Sequence, residues 1–106
     1  MLHLVRYKLK PEHAADNDRL VRGVFEALQA LQPSGLRYAA LKSDDGLSFV
    51  HVVSHESDTS RAALTGLPAF KAFSAGVRER CDEPPAFTEL SVVGSYRLFG
   101  NTEGHE

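Results

Sequence analysis

The chain has little of what most catalytic scaffolds are built from. It holds a single cysteine, Cys81, so it can form neither a disulfide framework nor a cysteine-based metal cluster. It has no strong excess of either charge: the formal net charge is -2 over 106 residues, with acidic and basic groups mixed along the chain. No broad positive field is available for phosphate backbones, so nucleic-acid binding is not expected. Long apolar runs are missing as well. Residues 1–10 carry Arg6, Lys8 and Lys10 and read as neither a signal peptide nor a membrane span. The expectation is a cytoplasmic protein without membrane contact. There is no phosphate-cradling glycine loop and no nucleophile elbow around a serine. The acidic pairs Asp44-Asp45 and Asp82-Glu83 fall at a hairpin and a helix end, where they read as solvated charges.

What is present is alternation. Residues 2–9 read as a strand with His3, Val5, Tyr7 and Leu9 on one face and Leu2, Leu4, Arg6 and Lys8 on the other. Pro11 suits a first helical turn, and Leu20, Val21, Val24, Phe25, Leu28 and Leu31 give the following helix one apolar stripe. Pro33-Ser34-Gly35 stops it. Residues 36–42 form a second strand, Asp44-Asp45-Gly46 a hairpin turn, and residues 47–55 a third strand. Ser57, Asp58 or Thr59 can cap a second helix, which Gly66-Leu67-Pro68 breaks in two. Its second half carries Phe70, Phe73 and Val77 on one side, and Cys81, among Arg78, Glu79, Arg80 and Asp82, reads as a partly buried structural thiol near its charged end. Pro84-Pro85 is expected to end this helix and residues 87–99 to form a long last strand. That strand would put Leu90, Val92, Tyr96 and Leu98 on one face and Glu89, Ser91, Ser95 and Arg97 on the other.

The order β-α-β-β-α-β predicts an α+β, ferredoxin-like domain: a four-stranded antiparallel sheet with both helices on one face. The first and third strands are then central, antiparallel neighbours. One such domain is expected over residues 1–100, with a polar tail at 101–106. Two helices cover one sheet face only. The other would expose either Leu2, Leu4, Val50 and Val52 or the opposite set, and burying it against a second copy predicts a homodimer.

Three stretches carry a family resemblance: the strand Leu2-His3-Leu4-Val5-Arg6-Tyr7-Lys8-Leu9-Lys10-Pro11, the broken helix Leu67-Pro68-Ala69-Phe70-Lys71-Ala72-Phe73, and the closing segment Leu90-Ser91-Val92-Val93-Gly94-Ser95-Tyr96. The chain resembles the dimeric α/β-barrel superfamily, and within it the antibiotic biosynthesis monooxygenase (ABM) family. The opening strand serves equally for the stress-responsive barrel family of the same superfamily. The ABM resemblance implies a homodimer acting on a small aromatic, phenolic or quinone-like molecule without a cofactor. Members of known chemistry commonly use a tryptophan and an asparagine near the pocket. This chain has no tryptophan, and Asn17 and Asn101, its asparagines, fall in no matching place. Ala69 stands where many relatives have a histidine, so haem degradation is not expected.

Chemistry of the implied kind needs an apolar pocket, a base that titrates near neutrality, and a donor or cation for the substrate anion. The base removes a phenolic or enolic proton, the anion passes an electron to O2, and the radical pair recombines. Histidine is the natural base. His3, His51 and His55 share one sheet face, and His51, mid-strand beside Tyr7 and Phe49, is the candidate, with Phe70 and Phe73 as its roof. His51 and His55 lie too far apart along a strand to share a metal ion, and no metal or other cofactor is expected. Arg97, Arg6 and Arg37 are candidate anion stabilisers, Arg97 foremost, although its strand parity does not settle whether it faces His51. Tyr38 and Tyr96 could donate to a substrate oxygen. A non-catalytic small-molecule binder or stress-response protein, and a purely structural dimer, are the competing readings.

Overall fold

A computed structural model describes residues 1–98. Its elements are β1 (Leu2–Leu9), a 3-10 turn (Pro11–His13), α1 (Ala14–Leu31), β2 (Leu36–Lys42), β3 (Ser48–His55), α2 (Asp58–Thr65), α3 (Pro68–Ala75), α4 (Val77–Arg80) and β4 (Cys81–Leu90). The sheet order is β2-β3-β1-β4 and every pairing is antiparallel, so the first and third strands are central as expected. The helices pack on one face.

Local chemistry explains the boundaries. Pro11 opens the first helical turn, where a missing N–H leaves nothing unpaired. α1 ends where Gln32 turns left-handed at φ 50° and its N–H closes back on Leu28 O at 2.7 Å, with Pro33 barring continuation. Gly46 supplies the positive φ, 77°, that the β2–β3 hairpin requires, and the Asp45 carboxylate accepts from the Leu47 N–H. Of the three possible caps for α2, Ser57 serves: its hydroxyl accepts from the Ser60 N–H while the Ser60 hydroxyl accepts from the Ser57 N–H. The break at Gly66-Leu67 is real, and Pro68 starts α3.

The register selects the covered face. Val5 lies opposite His51, Tyr7 opposite Phe49 and His3 opposite Val53. These odd positions point at the helices, where Tyr7, Leu9, Phe49 and Val53 pack with Val21 and Val24 of α1 and Leu64 and Phe73 of α2 and α3. The open face carries the other set, with Leu4 between Val52 and Thr88, Arg6 between Val50 and Ala86, and Leu41 opposite Val50.

The last strand differs from expectation. It begins at Cys81 and ends at Leu90, and Pro84-Pro85 lie inside it rather than closing a helix. Two features of the fold make this acceptable. β4 is an edge strand, paired only with β1, and the register slips between Arg6–Ala86 and Lys8–Glu83, so the prolines fall at a bulge. Residues 91–98 join no strand, and Val92, Val93, Tyr96 and Leu98 are exposed in the single chain. Phe99, the expected strand end, and the tail at 101–106 lie outside the described residues. No helix among the described residues is long and apolar enough to cross a membrane.

Candidate functional site

β3 holds His51 in mid-strand, and neighbouring elements bring hydroxyls to both of its ring nitrogens. The Tyr7 hydroxyl, from β1, lies 2.8 Å from Nε2, and the Tyr38 hydroxyl, from β2, lies 2.8 Å from Nδ1. From there the contacts run on through the helical layer. Asn17 of α1 gives its Nδ2–H to the Tyr7 hydroxyl at 3.0 Å, and its Oδ1 accepts from Arg80 Nε at 3.2 Å. Arg80, at the end of α4, also donates to the Phe73 carbonyl at 2.7 Å, with its guanidinium 5.5 Å from the Phe73 ring centre. Five polar side chains from five elements thus form one chain through the core.

Aromatic rings seal it. Phe73 stacks on the His51 ring at 5.3 Å and 17°, and Phe49 stacks on Tyr7 at 5.4 Å and 6°. Phe70 is half-buried behind Phe73 at 6.0 Å. Taken out of water, an imidazolium is disfavoured, and burial pushes His51 down to about 4, far from the neutral range in which a free histidine titrates. At neutral pH the ring is therefore uncharged. Burial moves the Tyr7 and Tyr38 phenols the other way, above their ordinary value, so both stay protonated donors.

Two hollows open between α1 and β2, apart from a shallow one of about 620 Å³ along the outer side of α1. One of about 430 Å³ is lined by Val21, Phe25, Gln29, Ala40 and Phe49, with Asp18 and Lys42 beside it. Phe25 and Gln29 also border a second, of about 210 Å³, walled by Leu28, Leu36 and Tyr38. Phe25 and Tyr38 are in ring contact at 4.8 Å. Of the residues expected to line a pocket, Tyr38 and Phe49 reach these hollows, whereas Tyr7 and Phe73 are buried inside the core.

The histidines separate into two places. His3 and His55 meet edge-on at 4.9 Å at the start of the sheet, with Phe87 4.5 Å from His3. Burial and then mutual repulsion lower His3, while burial and nearby Arg61 lower His55. Among the described residues no group of three His, Cys, Asp or Glu side chains could hold a metal ion. Arg97 is not brought to His51. It lies exposed beyond the end of β4, at φ 49°, with its guanidinium over the neighbouring Tyr96 ring. The expected strand that would have aimed it stops at Leu90.

No protein-family model matches the sequence, and no curated protein does. Solved structures do. A Mycobacterium tuberculosis protein superposes with a TM-score of 0.70 at 22% identity, covering 89% of this chain and 95% of that one. A candidate antibiotic biosynthesis monooxygenase from Nitrosomonas europaea gives 0.71 at 19% identity, over 88% of this chain and 98% of its own. Another candidate, from Caulobacter crescentus, gives 0.67 at 20% identity over 88% and 89%. The fold is that of the antibiotic biosynthesis monooxygenases. Of the three segments on which the resemblance was drawn, β1 and the broken helix are elements of this fold, whereas the closing segment leaves the sheet after Leu90.

Within this ABM fold, sequence reasoning missed Asn17 and Arg80. Both carried a signal. Asn17 precedes Val21 and Val24 by four and seven positions on the buried stripe of α1, and Arg80 follows Phe73 and Val77 by seven and three. A polar residue on the apolar stripe of a helix needs a buried partner, and here the two partners are each other.

Proposed function

We propose that this protein is a cofactor-independent monooxygenase of ABM type, binding a small aromatic, phenolic or quinone-like substrate in the α1–β2 groove with its oxygen against Tyr38. The observation that carries this reading is the position of Tyr38, which walls the groove on one side and hydrogen-bonds His51 on the other. The substrate loses its phenolic or enolic proton, the anion passes one electron to O2, and the radical pair recombines at a carbon that bears hydrogen; protonation gives a hydroperoxide, which loses water as its O–O and C–H bonds break and leaves a carbonyl. His51 can serve this in two ways: by accepting the proton through Tyr38, or, for a substrate that has already given its proton to water and enters as the anion, by fixing the Tyr38 hydroxyl as a donor to it. Phe25, Leu28 and Leu36 supply apolar walls beside Tyr38, and Phe25 continues into the neighbouring hollow lined by Phe49 and Ala40. The substrate-facing role belongs to Tyr38 and Phe49, with Tyr7, Phe70 and Phe73 acting from behind.

A homodimer is part of the proposal. The open sheet face offers Leu2, Leu4, Leu41, Val50 and Val52, and the exposed Val92, Val93, Tyr96 and Leu98 extend from the edge strand. A cytoplasmic setting goes with it, on composition alone.

Oxygen uptake with 1,4-dihydroxynaphthalene and 2-hydroxy-1,4-naphthoquinone, above the no-enzyme rate, tests the reading. His51→Ala should abolish that uptake with the oligomeric state unchanged, and undiminished turnover would remove His51 from the mechanism. The sealing of His51 by Phe73 and Phe49 favours a second reading, a non-catalytic binder using the same groove. Ligand binding with no oxygen uptake by the wild-type protein would select it.

A further inference from the structure

The hydrogen bonds of the buried chain have one consistent direction, and that direction defines the ligand. A guanidinium carries donors only and stays charged. Arg80 Nε must therefore give to Asn17, which fixes the Asn17 amide with oxygen toward Arg80 and Nδ2 toward Tyr7. Tyr7 already accepts from Asn17, so its own O–H needs an acceptor. His51 Nε2, at 2.8 Å, is the partner that remains to it among the described residues. A proton on Nε2 would make Tyr7 accept twice and bury its O–H unpaired, which folded proteins avoid. A neutral His51 then carries its hydrogen on Nδ1 and gives it to the Tyr38 oxygen, also at 2.8 Å. Tyr38 is left with its own O–H unspent, on a residue that lines the smaller of the two α1–β2 hollows.

We propose that Arg80, acting through Asn17, Tyr7 and His51, sets Tyr38 as a hydrogen-bond donor into the groove, so that the ligand there presents an acceptor oxygen: a ketone, quinone or enolate oxygen. This rests on reading the groove as the ligand site. It also decides the role of His51. The free lone pair of the ring faces Tyr7, away from the groove, so His51 is a positioning residue that holds Tyr38 as a donor to the substrate anion. A ligand proton could reach that lone pair only if every hydroxyl in the chain reversed.

Nitrogen NMR of the full chain labelled with 15N-histidine, without ligand, tests the direction, with His51→Gln used to assign the signal. Protonated Nδ1 and hydrogen-bond-accepting Nε2 are expected; protonated Nε2 overturns the proposal whether or not the protein turns anything over. Tyr7→Phe removes the hydroxyl that holds Nε2 and should move His51 toward the other tautomer, and an unmoved tautomer counts equally against it. The ligand class is tested by titrating 1-tetralone and its oxygen-free counterpart tetralin. Tyr38→Phe should weaken tetralone about tenfold, the worth of one hydrogen bond, and leave tetralin unchanged. Equal effects on both refute the donor role of Tyr38. A protonated Nδ1 with no binding of either compound sinks the groove reading and leaves the direction of the chain standing.

Discussion

Acidification should destabilise this protein through His51, and the size of the effect follows from its burial. In the folded chain the ring is 4% exposed and titrates at about 4. In the unfolded chain it titrates near 6.5. Between these values the unfolded state binds a proton that the folded state refuses, so stability rises with pH there and falls as pH drops from about 6.5 to about 4. The full loss across the window is about 3 kcal/mol, and about 2 kcal/mol of it appears between pH 7 and pH 5. Below pH 4 both states are protonated and the loss from this group stops. His3 and His55, also lowered, act in the same direction, whereas Asp45, lowered by its bonds to Ser43 and Leu47, acts only at more acid pH. The assay is urea denaturation followed by circular dichroism at pH 7, 6 and 5, at one fixed protein concentration because association shifts apparent stability. With an m-value of about 1.5 kcal/mol per molar, the His51 share is a fall of about 1.3 M in midpoint from pH 7 to pH 5. His51→Gln keeps a donor and an acceptor in place without a titrating ring. Its midpoint should fall distinctly less over the same range, and a fall equal to wild type would refute the assignment of the pH dependence to His51.

Three further outcomes follow from the packing. Phe73→Ala removes the ring stacked on His51 and should cost about 3–5 kcal/mol, read by denaturation; it should also expose the His51 ring to water and raise its pKa toward the ordinary range. Gly35→Ala should cost more than Gly46→Ala, though both positions sit at φ 77°, because a Cβ at Gly35 meets Glu56 and Ser60 at 3.3 Å while one at Gly46 meets nothing. The strained φ alone is worth about 1–2 kcal/mol at either position, and thermal melts of the two variants give the difference. Val50→Lys on the open face should convert a dimer to monomer in sedimentation velocity, and an unchanged species would move the interface away from that face.

Much of the fold was legible because parity in β1 and β3 is unambiguous. His3, Tyr7, Phe49 and His51 alternate with residues of the opposite face, and antiparallel pairing of neighbouring strands forces them together. The hairpin at Gly46 and the break before Pro68 are equally local. β4 was misplaced because proline reads locally as a breaker, while its tolerance here depends on lying at the sheet edge beside a bulge. That is a property of the assembled sheet. The site was legible only in part for the same kind of reason. The pairing of Tyr38 with His51 across β2 and β3 depends on register, since Ala40 and not Tyr38 is directly opposite His51. Arg80 meets Asn17 across 63 positions of sequence, through the docking of α4 against α1. The groove is lined jointly by α1 and β2, elements whose juxtaposition no periodicity reports.

The buried chain is an expensive way to fill a core. Arg80 is 8% exposed, and its bonded partners are the Asn17 amide and the Phe73 carbonyl, with no carboxylate among them. Replacing buried polar partners together by apolar groups of similar shape is often neutral or stabilising, whereas removing one alone leaves the other unpaired. Arg80→Met alone should therefore cost about 1–3 kcal/mol from the orphaned Asn17 oxygen. Asn17→Leu with Arg80→Met should recover most of that loss. If the chain exists to direct the Tyr38 hydroxyl, this double variant folds well but loses the groove's preference for tetralone over tetralin, because nothing then obliges Tyr7 to donate to His51. If the chain is only structural, stability is recovered all the same and the ligand preference is unmoved. Recovered stability shows that the core has been repaired, and the ligand preference alone then separates the two accounts.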